Sequence, residues 1–393
     1  MSEVIYLDNN ATTAVADEVR EAMLPFLTEL YGNPSSIHSF GGQVAKYIET
    51  AREQVAELLG CRPGEVLFTS CGTESDNTAI HSALNVYPER RHIVTTRVEH
   101  PAVRNLCRDL ARDHRPGGSY RVTELPVNAA GQLNMPDVGD ALVENTAVCS
   151  VMWANNETGT VFPVEKIGAL CRDIGIPFHT DAVQAVGKIP MKVSELPIDM
   201  LSISGHKLHA PKGIGALYIR KGTRFSPYLI GGHQEASRRG GTEAVPLIVA
   251  LGKAAELAKK NLEAENNRVK ALRDKLENAL LEKCPGAYIN GDPDSRLPNT
   301  ANVSFEYIEG ESILLMLDQY GICASSGSAC TTGSLEPSHV LHAMGVPYTR
   351  AHGSIRFSLS VYNTEEEIDK VIEVMPPIIR RLREISPFGR DKL

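Results

Sequence analysis

Between residue 1 and about residue 260, short apolar runs alternate with helical patterns, and no other feature limits the possible folds so strongly. Strand candidates are Glu65–Ser70, His92–Thr96, Ala147–Met152, Ile176–Thr180, Asp199–Ser204 and Gly215–Arg220. Helical patterns follow two of them, at Thr73–Val86 and Pro101–Arg112. Ala147–Met152 shows no polar alternation, as expected of a strand covered on both faces. Strands alternating with helices predict an α/β fold with a mostly parallel sheet between helical layers.

The texture changes near Val245. A long helical pattern rich in Ala, Leu, Glu and Lys runs to Cys284 with a break expected near Leu262, and it can cross from one unit to the next. Residues 285–393 hold fewer elements and read as a smaller α+β unit. Its last helix is expected to open at Thr364–Glu367, a capping box. With 393 residues there is chain enough for one large core and a smaller one.

Charge and composition narrow the functional classes. Forty basic against 48 acidic residues leave a net charge of −8, which argues against nucleic acid or an anionic membrane as the main partner. The longest apolar run, Ala147–Ala154, spans eight residues, far short of the ~18 that a membrane span needs. No secretory signal is visible at Met1–Tyr6, so the expected compartment is the cytoplasm. Eight cysteines with no CxxC pair exclude a disulfide framework and a zinc ribbon. The dinucleotide, P-loop, zincin and nucleophile-elbow motifs are missing too.

What remains is a set of polar groups at predicted strand ends, where open α/β sheets bind ligands. Ser70-Cys71-Gly72-Thr73-Glu74 reads either as an anion cradle at a helix start or as an ordinary cap at Thr73. Asp181 reads either as a helix cap or as a buried carboxylate awaiting a protonated heterocyclic nitrogen. Lys207, flanked by Ser204 and His206, reads either as a solvated lysine or as one whose lowered pKa suits a Schiff base. Cys330 lies in the run Ser325–Ser334, whose small residues have little to pack, so a mobile loop with an exposed nucleophilic thiol is expected; the alternative is a turn with an incidental cysteine. An anion cradle, an acid for a ring nitrogen and an imine-forming lysine are together what pyridoxal 5'-phosphate requires.

These segments resemble the NifS/IscS group of cysteine desulfurases, fold-type I pyridoxal-phosphate enzymes, and most closely the NifS branch. The likeness runs from Tyr6–Thr13 to Ile385–Pro387 and is carried by Ser204-Gly205-His206-Lys207, Ser70–Ser75, Val98–Val103, Trp153–Gly159, His206–Gly213 and Ser325–Cys330. It implies a large cofactor-binding domain (14–258) with a sheet of the seven-stranded type, and a small domain (1–13 and 259–393) carrying the Cys330 loop. Lys207 would hold the cofactor and move protons. His100 would stack on its ring as a candidate acid/base. Asp181 would meet the ring nitrogen and Gln184 the ring hydroxyl. Gly72, Thr73, Ser204 and His206 would bind the phosphate, and Thr242 that of the neighbouring subunit in a homodimer. Asn156 and Arg356 would hold the carboxylate of L-cysteine. Cys330 would take the sulfur as a persulfide, leaving L-alanine, and pass it to an iron–sulfur scaffold or another acceptor. No stable metal is implied, only a cluster shared transiently between Cys330 and a scaffold. Nitrogenase clusters are one possible destination. The alternative activity on the same scaffold is a selenocysteine lyase or another β-lyase. Cys323 reads as a packing residue.

Overall fold

The computed structural model describes residues 4–112, 118–326 and 338–387. A short first strand, β1 (Ile5–Tyr6), precedes the strands of the main sheet. Those are β2 (Val66–Thr69), β3 (His92–Thr96), β4 (Arg121–Leu125), β5 (Thr146–Ser150), β6 (Phe178–Asp181), β7 (Met200–Ser204) and β8 (Gly215–Ile219). Their spatial order is β2-β8-β7-β6-β5-β3-β4. Only β8 runs against its neighbours, pairing antiparallel with both β2 and β7. β3, β5, β6 and β7 are buried along their whole length, which the missing polar alternation in Ala147–Met152 anticipated for β5. The edge strand β4 escaped the sequence reading, because four of its five residues are only partly buried or exposed.

The topology aims the ends of six strands at one edge. β2, β3, β4, β5, β6 and β7 all point the same way, and the chain steps outward from β3 to β4 before returning inside to β5. That reversal opens a crevice at the carboxyl ends of the strands. Two apolar cores flank the sheet. One contains Val55, Phe178, Ile203 and Leu251; the other contains Ile80, Val103 and Leu217.

A third core belongs to a smaller unit. It is built on β9 (Ala287–Ile289), β10 (Thr300–Phe305) and β12 (Ser354–Ser358), an antiparallel sheet in the order β12-β10-β9. β11 (Ile322–Cys323) lies between β10 and β12 in the chain but pairs parallel with β1 instead. Leu7 joins Phe305, Phe357, Ile368 and Met375 in this core, so the N-terminal segment packs with the C-terminal third. The long helical pattern after Val245 holds a π-helical turn at Glu265–Val269, three residues beyond the expected break. The capping box at Thr364 and Glu367 forms as its spacing implies. Among the described residues, no helix is long and apolar enough to cross a membrane.

Candidate active site

A cavity of about 380 Å³ lies at the carboxyl edge of the main sheet. Gly72, Thr73, His100, Asn156, Asp181, Gln184, Ser204, His206, Lys207 and Arg356 all line it, so ten of the twelve residues singled out by sequence converge on one space. Thr242 does not: it is exposed and borders a separate hollow beside Arg239 and Glu235. Cys330 lies outside the described residues.

The floor follows from backbone geometry. The helix Gly72–Val86 starts directly after the loop leaving β2 and directs its free N–H groups at the cavity. Its cap is Cys71, whose Sγ accepts from the Glu74 amide at 3.4 Å; Thr73, the expected cap, lies inside the helix and is exposed. Gly72 allows a close approach to the neighbouring strands. A Cβ there would stand 3.0 Å from Val183 Cγ2 and 3.2 Å from Ser204 Cβ. Ser204 ends β7, and the tight turn Gly205–Lys207 then carries His206 and Lys207 to the rim. Burial, together with the charges of Lys207 and Lys212, lowers the pKa of His206 to about 4, which keeps it neutral.

Lys207 and its surroundings form the reactive end. Its Nζ donates to the carbonyl oxygens of Asn10 at 2.5 Å and Ala11 at 2.6 Å. Gln184 Nε2 also donates to the Asn10 carbonyl, at 3.0 Å, while Gln184 Oε1 is buried with no hydrogen-bond partner. His100 caps the helix Pro101–Leu110, its Nδ1 accepting from the Ala102 amide at 3.1 Å. It therefore serves as both cap and cavity wall. Burial lowers its pKa, the Lys207 charge adds to that, and Asp181 opposes both.

Asp181, 5% exposed at the end of β6, accepts from the Val183 amide at 2.9 Å. Burial raises its pKa more than His100 and Lys207 lower it. Arg356 on β12 is 2% exposed. Its guanidinium bonds Asp8 at 2.6 Å and the Asn156 carbonyl at 3.0 Å, and its Nε remains without a partner. Cys323 is half-buried on β11, where burial raises its thiol pKa.

Three contributors lay beyond the sequence reading. Asn10 acts through its main-chain oxygen, which leaves no trace in residue type. Asp76 and Cys71 both line the cavity, yet an acid inside a helix and a cysteine at its start have commonplace explanations.

The unsatisfied groups fit pyridoxal phosphate. Its phosphate matches the helix start with Ser204 and His206, its hydroxyl the bare Gln184 Oε1, and its protonated ring nitrogen the buried Asp181 carboxyl. Fold and site together define a fold-type I pyridoxal-phosphate enzyme. The comparisons agree. The family model described as aminotransferase class-V matches residues 5–371. A cysteine desulfurase of Trichormus azollae is 62% identical over 99% of this chain and 96% of its own length. The cysteine desulfurase NifS of Azotobacter vinelandii is 60% identical over 98% and 94%. A solved NifS-like protein superposes with a TM-score of 0.89 at 39% identity, covering 98% of this chain and all of the other. The chain belongs to the aminotransferase class-V family and, within it, to the NifS-type cysteine desulfurases.

The acids buried at this edge carry a pH signature. Burial raises Glu99 to about 8 and Glu157 to about 7, well above their unfolded values near ~4.3. Such groups hold protons in the folded state that the unfolded chain has released, so their stabilisation is lost as pH rises through the folded pKa. Buried histidines work oppositely, since burial depresses His92, His179 and His339 to between about 3 and about 4. Their contribution is complete above about 6.5. Stability measured by urea unfolding is therefore expected to fall between about pH 6.5 and 8, and Glu99→Gln should flatten that slope. A slope unchanged in the variant would show that Glu99 is ionised in the native protein.

Proposed function

We propose that this chain takes sulfur from L-cysteine onto Cys330, releases L-alanine, and passes the sulfur to an iron–sulfur scaffold or another acceptor. The observation that carries this reading is the single cavity joining Lys207, Asp181 and the bare Nε of Arg356, since an amino-acid substrate needs a covalent anchor, an electron sink and a carboxylate site together. Lys207 would hold the cofactor's aldehyde carbon, Asp181 and Gln184 its ring, and Gly72, Thr73, Ser204 and His206 its phosphate. Once bound, pyridoxal phosphate withdraws electrons from the substrate's α-carbon. Lys207 Nζ, bonded to the Asn10 and Ala11 carbonyls, is placed to take and return a proton. His100 would pack on the ring and keep water out; its Nδ1 is engaged by the Ala102 amide, which leaves Nε2 as its exchangeable position. Arg356, aligned by Asp8, would hold the substrate carboxylate with Asn156.

A homodimer with shared sites is part of this reading. Thr242 is exposed on the segment that also presents Tyr228, Leu229 and the 92% exposed Ile230, which suits a role at the neighbouring subunit's phosphate. The separation of Leu7 and the C-terminal core from the main sheet supports a large domain of 14–258 and a small domain of 1–13 with 259–393. The cytoplasm is the proposed compartment, and nitrogenase assembly is the proposed use, on the strength of the likeness to NifS.

Cys330→Ala tests the sulfur step. The variant should bind pyridoxal phosphate and L-cysteine with the usual change in absorbance, yet form alanine at least about 100-fold more slowly. Mass spectrometry of the cysteine-treated wild type should find the additional sulfur on Cys330. A persulfide on Cys323, or full desulfuration by the variant, would remove Cys330 from the reaction.

A further inference from the structure

Asp76 is a buried carboxyl that the proposed chemistry leaves unused. It lies three residues after Thr73 on the same helix and therefore on a neighbouring face. It is 1% exposed, lines the same cavity as Asp181, and its Oδ1 accepts no hydrogen bond. His179 Nε2 stands 3.6 Å from that oxygen. That ring is engaged elsewhere: Nδ1 meets Ser150 Oγ and Nε2 meets Ser202 Oγ, both at 2.9 Å. Burial lowers the His179 pKa to about 3, so it supplies no positive charge.

The other groups acting on Asp76 are Asp181, Glu99, Cys71 and the Ser202 hydroxyl. Ser202 alone favours its charged form, while burial and the two carboxyls oppose it. Two buried like charges lining one cavity cannot both be held cheaply.

We propose that Asp76 and Asp181 share a single negative charge, with Asp76 protonated while Asp181 faces the cofactor's ring nitrogen, so that Asp76 is a reserve counter-ion for that nitrogen. The inference rests on the cofactor reading of the cavity. It needs no outside reactant. One proton serves two carboxyls, and when Asp181 is made neutral Asp76 gives its proton to solvent and takes over the charge. Asp76 thus acts as a positioning residue, fixing which carboxyl stays ionised.

A double-mutant cycle tests this, and the protein carries its own probe. Its one tryptophan, Trp153, sits between Met152 and Ala154, both of which line the cavity, so tryptophan quenching should report cofactor binding. Asp76→Asn alone should weaken pyridoxal-phosphate binding by less than about fivefold, because it replaces a carboxyl that is already neutral. Asp181→Asn should weaken it more, but incompletely. Adding Asp76→Asn to Asp181→Asn should cost at least about a further tenfold and lower the pH midpoint of the bound cofactor's absorption band. A merely structural aspartate would give additive losses and an unmoved midpoint. Additive losses, or an Asp76→Asn loss as large as that of Asp181→Asn in a natively folded protein, would overturn the shared charge. Failure of borohydride to fix the cofactor on Lys207 would overturn the reading of the cavity itself, and this proposal with it.

Discussion

Lys207→Ala is expected to abolish alanine formation, with a loss of at least about 1,000-fold, and to leave pyridoxal phosphate without covalent attachment. The fold should survive, because the Lys207 side chain reaches into a cavity and not into one of the apolar cores. The measurement is borohydride reduction followed by peptide mass spectrometry, with the rate of alanine release alongside. Lys188 is the competing candidate. It is buried, its Nζ has no hydrogen-bond partner, and burial lowers its pKa to about 8 despite Glu265. It lines a small neighbouring pocket and not the 380 Å³ cavity. Cofactor found on Lys188, or normal turnover by the alanine variant, would overturn the assignment.

The second large effect concerns stability. Glu235 binds Arg52 through two hydrogen bonds of 2.7 and 2.8 Å and accepts the Phe68 amide at 3.0 Å. Both side chains are less than 10% exposed. Removing one partner of a buried pair strands the other's charge, at about 3–5 kcal/mol. Glu235→Ala should therefore lower unfolding stability by about that amount, seen as a fall in the urea midpoint with little change in slope. Arg52→Met should cost less, because it leaves a carboxyl that can take up a proton, whereas Glu235→Ala leaves a guanidinium held only by the Val66 carbonyl and the exposed Glu49. Equal losses in the two variants would mean that the site is wet. Glu235 also adopts a left-handed backbone (φ 48°), so the pair holds a bent segment that leads to Arg239 and Thr242.

What could be read in advance followed physical rules. Six sheet strands announced themselves as short apolar-rich runs, and Ala147–Met152 also by its missing polar alternation, which burial on both faces allows. β4 did not, since an edge strand tolerates Arg121 and Glu124. The reversed direction of β8 was not legible either, because side-chain periodicity is the same in both directions. At the site, Lys207 and Asp181 stood out as charged residues closing apolar strands. Asp76 stayed hidden because acids on helices ordinarily face water, and the packing of its helix against the main sheet is what buries it. The Asn10 carbonyl stayed hidden because every residue has one.

The segment Ile5–Thr13 is synthesised well before the residues that hold it in place. Ile5 and Tyr6 pair with Ile322 and Cys323, Asp8 with Arg356, and Asn9 with the Ser358 carbonyl. At about 5–20 residues per second, a ribosome needs on the order of tens of seconds to deliver those partners. Through that interval the main sheet can fold, but Lys207 lacks the Asn10 and Ala11 carbonyls. The nascent chain can thus display a half-built pocket while the floor for the phosphate already exists. Capture of the vitamin-derived cofactor then becomes an event of chain completion, and a bulky fusion ahead of Ile5 should delay holoenzyme formation more than folding of the main sheet.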